Sequence, residues 1–400
     1  MSLTRRPDRA PVLLSYAAFV LVGLGAGVGG ILIPAQIADY GVDEATIGIT
    51  FFTSSAGFLV AGATSGALLH RVSVRVALTI GALAYIFAAF AMAARPPFWA
   101  LVAVQLLAGY GTGILESVLN VYLAGLPRAT TLLNRLHAFF GVGALLGPLL
   151  AAWLLQYLPW TAVWLVLGAV AVPLAAGFLL AYPRTGPPAE ESAAPPPRFG
   201  EALRRPAILL ASIFLTVYVG LEIGVGNWGF TYLVQEHGEP SLVAGYTISG
   251  YWLGLTLGRF LISPAATRAG MSAAAMATAC LAGVTGGAAL IWASPAAAVA
   301  TAGFVLLGFF LAPLFPTAIA VVPDVVEPRL VATAMGVMNG VSVVGGAGLP
   351  WLAGWLAQHV GIWTLMPFAL VLSVVQLVVW RLMLVAGARR NAEAVTGLRA

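Results

Sequence analysis

The sequence contains no lysine; all 19 of its basic residues are arginine. Charge of either sign is scarce, at 8% of 400 residues, against about 25% in a soluble globular domain. With 60% hydrophobic residues and a mean hydropathy of +0.97, the chain cannot cover its own surface with polar groups. That excludes an ordinary soluble domain and makes lipid the natural solvent. A single cysteine, Cys280, excludes an intrachain disulfide and a cysteine-based metal site, and reads as a small core residue. The net charge of +5 is not gathered into a basic patch, because the arginines are scattered between long apolar runs, so no nucleic-acid partner is expected. No nucleophile–base constellation, phosphate loop or metal cluster is present, which argues against an enzyme and against any metal or cofactor.

What the sequence does contain is a succession of apolar runs, each near the 20 or so residues a helix needs to cross a bilayer. They fall at about 12–36, 46–69, 75–94, 98–126, 131–157, 161–182, 207–235, 241–264, 272–293, 296–322, 330–358 and 361–386. The first is too long and glycine-rich for a cleaved leader and reads as a span. With the N-terminus inside, every arginine except Arg95 lies in an inward segment or at an inner span end, so both termini are expected in the cytoplasm. The outward loops carry Asp39, Asp43, Glu44, Glu236 and Glu239 instead. The proline-rich, charged segment 183–206 reads as a cytoplasmic linker between an N-terminal half, 1–182, and a C-terminal half, 207–400.

The halves look duplicated. GLGAGVGG (23–30) and GLEIGVGN (220–227) agree at five of eight positions at an offset of 197. The same offset carries Arg71 onto Arg268, and an offset of 199 carries Leu107 onto Leu306 and Gly109 onto Gly308. Two parallel repeats predict an all-α membrane protein of two pseudo-symmetric six-helix bundles, with a solute site near the bilayer midplane.

Only Glu116 and Glu222, of 14 acidic residues, fall deep within spans. A charge at mid-bilayer costs at least ~3 kcal/mol, so each is a functional candidate. On span four, steps of three and four align Gln105, Gly109, Thr112, Glu116 and Asn120 on one face, suited to a wet cavity. Desolvation penalises the charged form of a carboxyl held there, which lets it take up and release a proton. Glu222 on span seven lies near Tyr218, Asn227 and Trp228, and the run Gly224, Gly226, Gly229 favours a local helix break. The one basic residue well inside a span, Arg259, lies toward an inner end, which speaks against an ion pair with either glutamate. Gln105, Asn120, Tyr218, Asn227 and Trp228 are expected to contact solute, Trp228 suiting either stacking on a sugar ring or packing; Gln36, at the outer end of span one, and Asn339, on span eleven, are further solute candidates. Weaker ones are Tyr110, His137, Tyr246 and Tyr251.

These residues carry a family resemblance. GALLHRVSVR (66–75) resembles the loop signature of major facilitator transporters, matching it at Gly66, Arg71 and Arg75 and departing at His70, where the family has Asp. The run GALLGP (143–148) is a partial match to a signature found in exporters. More specifically, GYGTGILESVLNVYL (109–123) is similar to the span-four motif of the fucose/glucose–proton symporter branch. LHAFFGVGALLGPLL (136–150), YVGLEIGVGNW (218–228), GLTLGRFLISP (254–264) and GFFLAPLFPTAIA (308–320) extend it along nearly the whole chain, in an order most like bacterial glucose/mannose proton symporters. The resemblance implies a monomer in the bacterial inner membrane that moves a hexose-like sugar with protons by alternating access. Glu116 then matches the branch's proton-binding acid. The branch's fucose permease also uses an Asp in span one, where this chain has no acid, so Glu222 is the candidate for a second proton site. The loop signature implies that Gly66, Arg71, Arg75 and their repeat mate Arg268 act in gating. The rival expectation is a proton-antiporting exporter of drugs or metabolites.

Overall fold

The computed structural model describes residues 9–182, 199–202, 204–326 and 330–397. Arg5, Arg6, Arg184, Arg198, Arg329 and Arg399 and most of the 183–206 linker lie outside them. The chain divides into two compact units, Met1–Ser192 and Ala193–Ala400. The first holds α1 (Arg9–Tyr40), α2 (Ile49–Arg71), α3 (Val74–Ala93), α4 (Phe98–Ala124), α5 (Ala129–Leu154) and α6 (Thr161–Ala181). The second holds α7 (Pro206–Gln235), α8 (Ser241–Arg268), α9 (Ala273–Ala293), α10 in two pieces (Ala297–Leu311 and Leu314–Val325), α11 (Val331–His359) and α12 (Leu365–Gly397).

These runs are helical because a chain in hydrocarbon must satisfy every backbone N–H and C=O internally. Pro34, Pro148, Pro173, Pro264 and Pro350 all sit inside helices without ending them. Among the described residues, eleven helices are long and apolar enough to cross a membrane. The remaining long helix, α8, has 28 residues but carries Thr247, Ser249, Thr256, Arg259, Ser263 and Thr267, which lower its hydropathy.

The duplication read from the sequence returns as matched packing. In the first unit α1 packs on α5, α2 on α4, and α3 on α4 and α6; in the second, α7 packs on α11, α8 on α10, and α9 on α10 and α12. Individual contacts repeat in register. Gly57 lies against the backbone of Leu106 and Tyr110, and Gly254, 197 residues on, lies against Val305 and Phe309, each 199 residues on. Gly109 lies against the Ser54 carbonyl, and Gly308 against that of Tyr251. Ser73 caps α3 and Ser272 caps α9 through the same side-chain bond to the third helical N–H.

One local expectation is corrected. The glycine run in α7 does not break the helix, which continues from Pro206 to Gln235. Those glycines serve close approach: Gly226 is covered by Trp252, and Gly229 by Ile248 and Phe304. The break lies in α10, at Ala312-Pro313, where proline has no N–H to offer the preceding turn. Its repeat position in α4 is Gly113-Ile114, and α4 runs through uninterrupted.

Candidate functional site

In the first unit, α4 carries a half-buried polar stripe of Gln105, Thr112, Glu116 and Asn120. Gly109, expected on that face, instead forms the contact with α2, where an added Cβ would stand 1.9 Å from the Ser54 carbonyl oxygen. Thr112 returns its hydroxyl to the Ala108 carbonyl at 2.9 Å. Asn120 Nδ2 donates to the Glu116 backbone carbonyl at 2.8 Å, and Asn120 Oδ1 lies 3.3 Å from His137 Nε2 on α5. The exposed His137 ring meets Phe19 of α1 edge-on, with centroids 5.5 Å apart. No hydrogen bond or ion pair from the described residues reaches the Glu116 carboxylate. It is an acid within a span, with polar neighbours along its own helix and no countercharge among the described residues.

Glu222 in the second unit is placed differently. Its Oε1 lies 3.6 Å from Arg259 Nη2 on α8, which overturns the expectation that Arg259 is too far to pair. Counted from the α7–α8 turn, Glu222 is 13 residues back from Gln235 and Arg259 is 18 on from Ser241, a stagger of roughly 7 Å along the axes. Side chains tilt toward the N-terminus of their own helix. Glu222 therefore leans away from the turn and Arg259 toward it, and the long arginine side chain closes the gap. The Tyr251 hydroxyl donates to the Glu222 carbonyl at 3.0 Å. Tyr218, one turn before Glu222 and packed against Phe315, lies beside both charges without a hydrogen bond of ordinary geometry.

The pair carries a prediction. Removing one partner leaves an uncompensated charge, which costs about 3–5 kcal/mol when fully buried. Arg259 is a third exposed, so Glu222→Gln alone is expected to cost about 2 kcal/mol. Glu222→Gln with Arg259→Gln recovers most of that, read as melting temperature in detergent.

The other expected solute residues scatter. Trp228 is fully buried and its indole N–H donates to the Pro350 carbonyl at 2.8 Å, so the ring is part of the α7–α11 packing and not open to a solute here. Tyr218 is likewise enclosed. Gln36 is 6% exposed and one turn inside α1, not a solvated end residue. Asn227 bonds back to the Ile223 carbonyl at 2.9 Å and is half-buried. Asn339 is exposed, on a face of α11 where Gly336 and Gly340 meet nothing.

The loop-signature residues also separate. Arg75 donates through Nε, at 2.7 Å, and through Nη2 to the carbonyl of Tyr182, the residue that follows α6 at its C-terminal end. Tyr182 in turn bonds Ser15 Oγ at 2.7 Å and the Pro11 carbonyl at 2.9 Å. The Arg75 donors thus cap a helix end of their own unit, where the dipole is negative. Arg71 and Arg268 are exposed, and Gly66 is in open space.

One cluster escaped the sequence reading. Asp39 accepts from Arg95 Nε at 2.7 Å and Nη2 at 2.6 Å, and from Trp160 Nε1 at 2.8 Å. Tyr40 donates to the Pro96 carbonyl at 2.8 Å. The α3–α4 and α5–α6 corners are thereby tied to the end of α1. The Asp39 carboxylate raises the already high pKa of Arg95, which takes the left-handed φ of 53°. The signal was available: Arg95 is the one arginine among otherwise acidic loops.

Two units whose long apolar helices follow the same packing order, with a carboxyl inside a span of each, define a polytopic membrane protein of the transporter type. The chain belongs to the Major Facilitator Superfamily, matching the family over residues 15–347 and 230–397. It is 27% identical over 391 residues to "Bypass of stop codon protein 6" of Saccharomyces cerevisiae, covering 88% of this chain and 78% of that one. Its fold is similar to the solved nucleoside transporter NupG (TM-score 0.76, 15% identity, 94% of this chain and 98% of that one). It is also similar to a D-xylose-proton symporter (TM-score 0.74, 14% identity, 93% and 97%).

Proposed function

We propose that the chain is a proton-coupled symporter for a neutral, hexose-like sugar, working by alternating access, with Glu116 as the proton-binding group. The observation that carries this is the Glu116 carboxylate: within a span, flanked on its helix by Gln105, Thr112 and Asn120, and without a countercharge among the described residues. An acid so placed is best tolerated where water reaches it, and its charge state responds to the proton activity of that water. Glu222, whose charge is matched by Arg259, fits solute contact better than a second proton site. Asn120 and His137 form the polar continuation from Glu116 to α5. The similarity to a D-xylose-proton symporter supports a sugar as solute at the level of fold. The arginine distribution supports a cytoplasmic membrane with both termini inside.

Proteoliposomes given an inward-directed proton gradient, acid outside and alkaline inside, test the reading: D-glucose or D-xylose should accumulate, and accumulation should stop when the gradient is collapsed. A second reading, a proton-antiporting exporter, rests on the GALLGP run, whose Gly143 and Gly147 bring α5 onto the α1 backbone. It predicts gradient-driven extrusion of hydrophobic compounds and no sugar movement.

A further inference from the structure

We infer that Glu222 and Arg259 together recognise a vicinal diol, so that the proposed sugar is held in the second unit by a paired carboxylate and guanidinium. This rests on the sugar reading above and adds to it a binding group, Arg259, and a chemistry.

Four observations carry it. First, the Arg259 side chain is 33% exposed and that of Glu222 15%. Within a span, such exposure of charge is costly toward acyl chains and tolerable toward water, so the pair borders a wet recess.

Second, the two groups touch at one place only, 3.6 Å apart. A guanidinium has five N–H donors and a carboxylate about four acceptor positions; besides each other, the polar side chain beside them is the Tyr218 hydroxyl, which can engage one position on each. Most of their capacity is open to a ligand.

Third, the charges are not part of the repeat. At the offset of 197 that aligns the packing glycines, Glu222 and Arg259 fall on Gly25 and Gly62. The first unit carries no charge at either place, and Gly62 faces open space.

Fourth, the site is held in place. The Tyr251 hydroxyl on α8 bonds the Glu222 carbonyl at 3.0 Å, fixing the two helices where the pair forms. Positions set by packing and supporting hydrogen bonds are what a recognition site requires.

The chemistry then selects the ligand. Adjacent hydroxyls each donate and accept; one or both can donate to Glu222 while their oxygens accept from the planar fork of Arg259. A net-neutral pair pays no penalty for an uncharged solute. A carboxylate ligand would have to displace Glu222 and place two like charges together.

Binding of D-glucose, 2-deoxy-D-glucose, 3-deoxy-D-glucose and D-glucuronate to the purified full chain in nanodiscs, by calorimetry, tests this. Wild type should prefer D-glucose to one of the deoxy sugars by about tenfold. Arg259→Lys, which keeps the charge but loses the fork, should weaken D-glucose by a similar factor and leave that deoxy sugar unchanged. The neutral double variant Glu222→Gln with Arg259→Gln should show the same loss of discrimination, should the lysine variant not fold. Equal weakening of every sugar, unchanged D-glucose binding in both variants, or tighter binding of D-glucuronate overturns the diol site while leaving sugar transport standing. Absence of binding by any of the four to the wild type overturns both.

Discussion

Glu116→Gln abolishes proton-driven accumulation and spares exchange. One proton carried with one solute lets a pH difference of one unit, about 1.4 kcal/mol, sustain roughly tenfold accumulation. With glutamine the gradient has no group to act through, and the internal-to-external ratio falls to about one. Counterflow of labelled against unlabelled sugar continues, because glutamine resembles the protonated acid in shape and charge and leaves the loaded path intact. The effect is expected to be specific to Glu116. Glu222 has Arg259 within 3.6 Å, so its replacement acts on stability and solute affinity before coupling. Tracer uptake and counterflow in proteoliposomes separate the cases; accumulation by Glu116→Gln at the wild-type ratio rules out Glu116 as the proton site.

The second large effect is structural and should appear twice. A Cβ at Gly57 would stand 1.9 Å from the Leu106 carbonyl oxygen and 2.7 Å from the Tyr110 nitrogen. At Gly254 it would stand 2.2 Å from the Val305 oxygen and 3.0 Å from the Phe309 nitrogen. In both places the obstacle is backbone, which cannot rotate away as a side chain can, so the helices must separate along the crossing. Gly57→Ala and Gly254→Ala are each expected to cost about 3 kcal/mol or more and to reduce folded yield. Gly62→Ala, on the same helix as Gly57 and facing open space, should be neutral or slightly stabilising, since alanine is the better helix former. Monodispersity by size exclusion and melting temperature check all three. A tolerated alanine at Gly57 or Gly254 would mean that α2–α4 and α8–α10 are not packed at these points.

Much of the fold was legible because the constraints behind it are one-dimensional. Hydrocarbon thickness sets the length of each run. The offset of 199 appears in sequence as Gly109 and Gly308, since glycine marks helix crossings, and the structure shows these two making the same backbone contact in each unit. The membrane-depth acids were legible for a related reason: an unexpected charge in an apolar run is conspicuous. What was hidden depends on direction and partner. The Glu222–Arg259 pair needed the opposite tilts of antiparallel neighbours and the reach of arginine, neither of which spacing alone reveals. Trp228 was open to either reading by residue type; only its bond to the Pro350 carbonyl assigns it to packing. Arg75 matched a signature, yet its donors go to Tyr182, 107 residues away. The glycine run of α7 suggested a break that is not there, because a glycine keeps its N–H and can stay helical; the break falls in α10, where Pro313 cannot supply one.

Sugar-driven proton movement is the most direct test of the central claim, that solute and proton cross together through this chain. Proteoliposomes holding the wild-type protein and an internal pH dye, with no initial pH or electrical gradient, receive D-glucose or D-xylose outside. Symport through Glu116 predicts internal acidification on sugar addition, abolished in Glu116→Gln. Sugar entry at a constant internal pH, or internal alkalinisation as sugar enters, would contradict it.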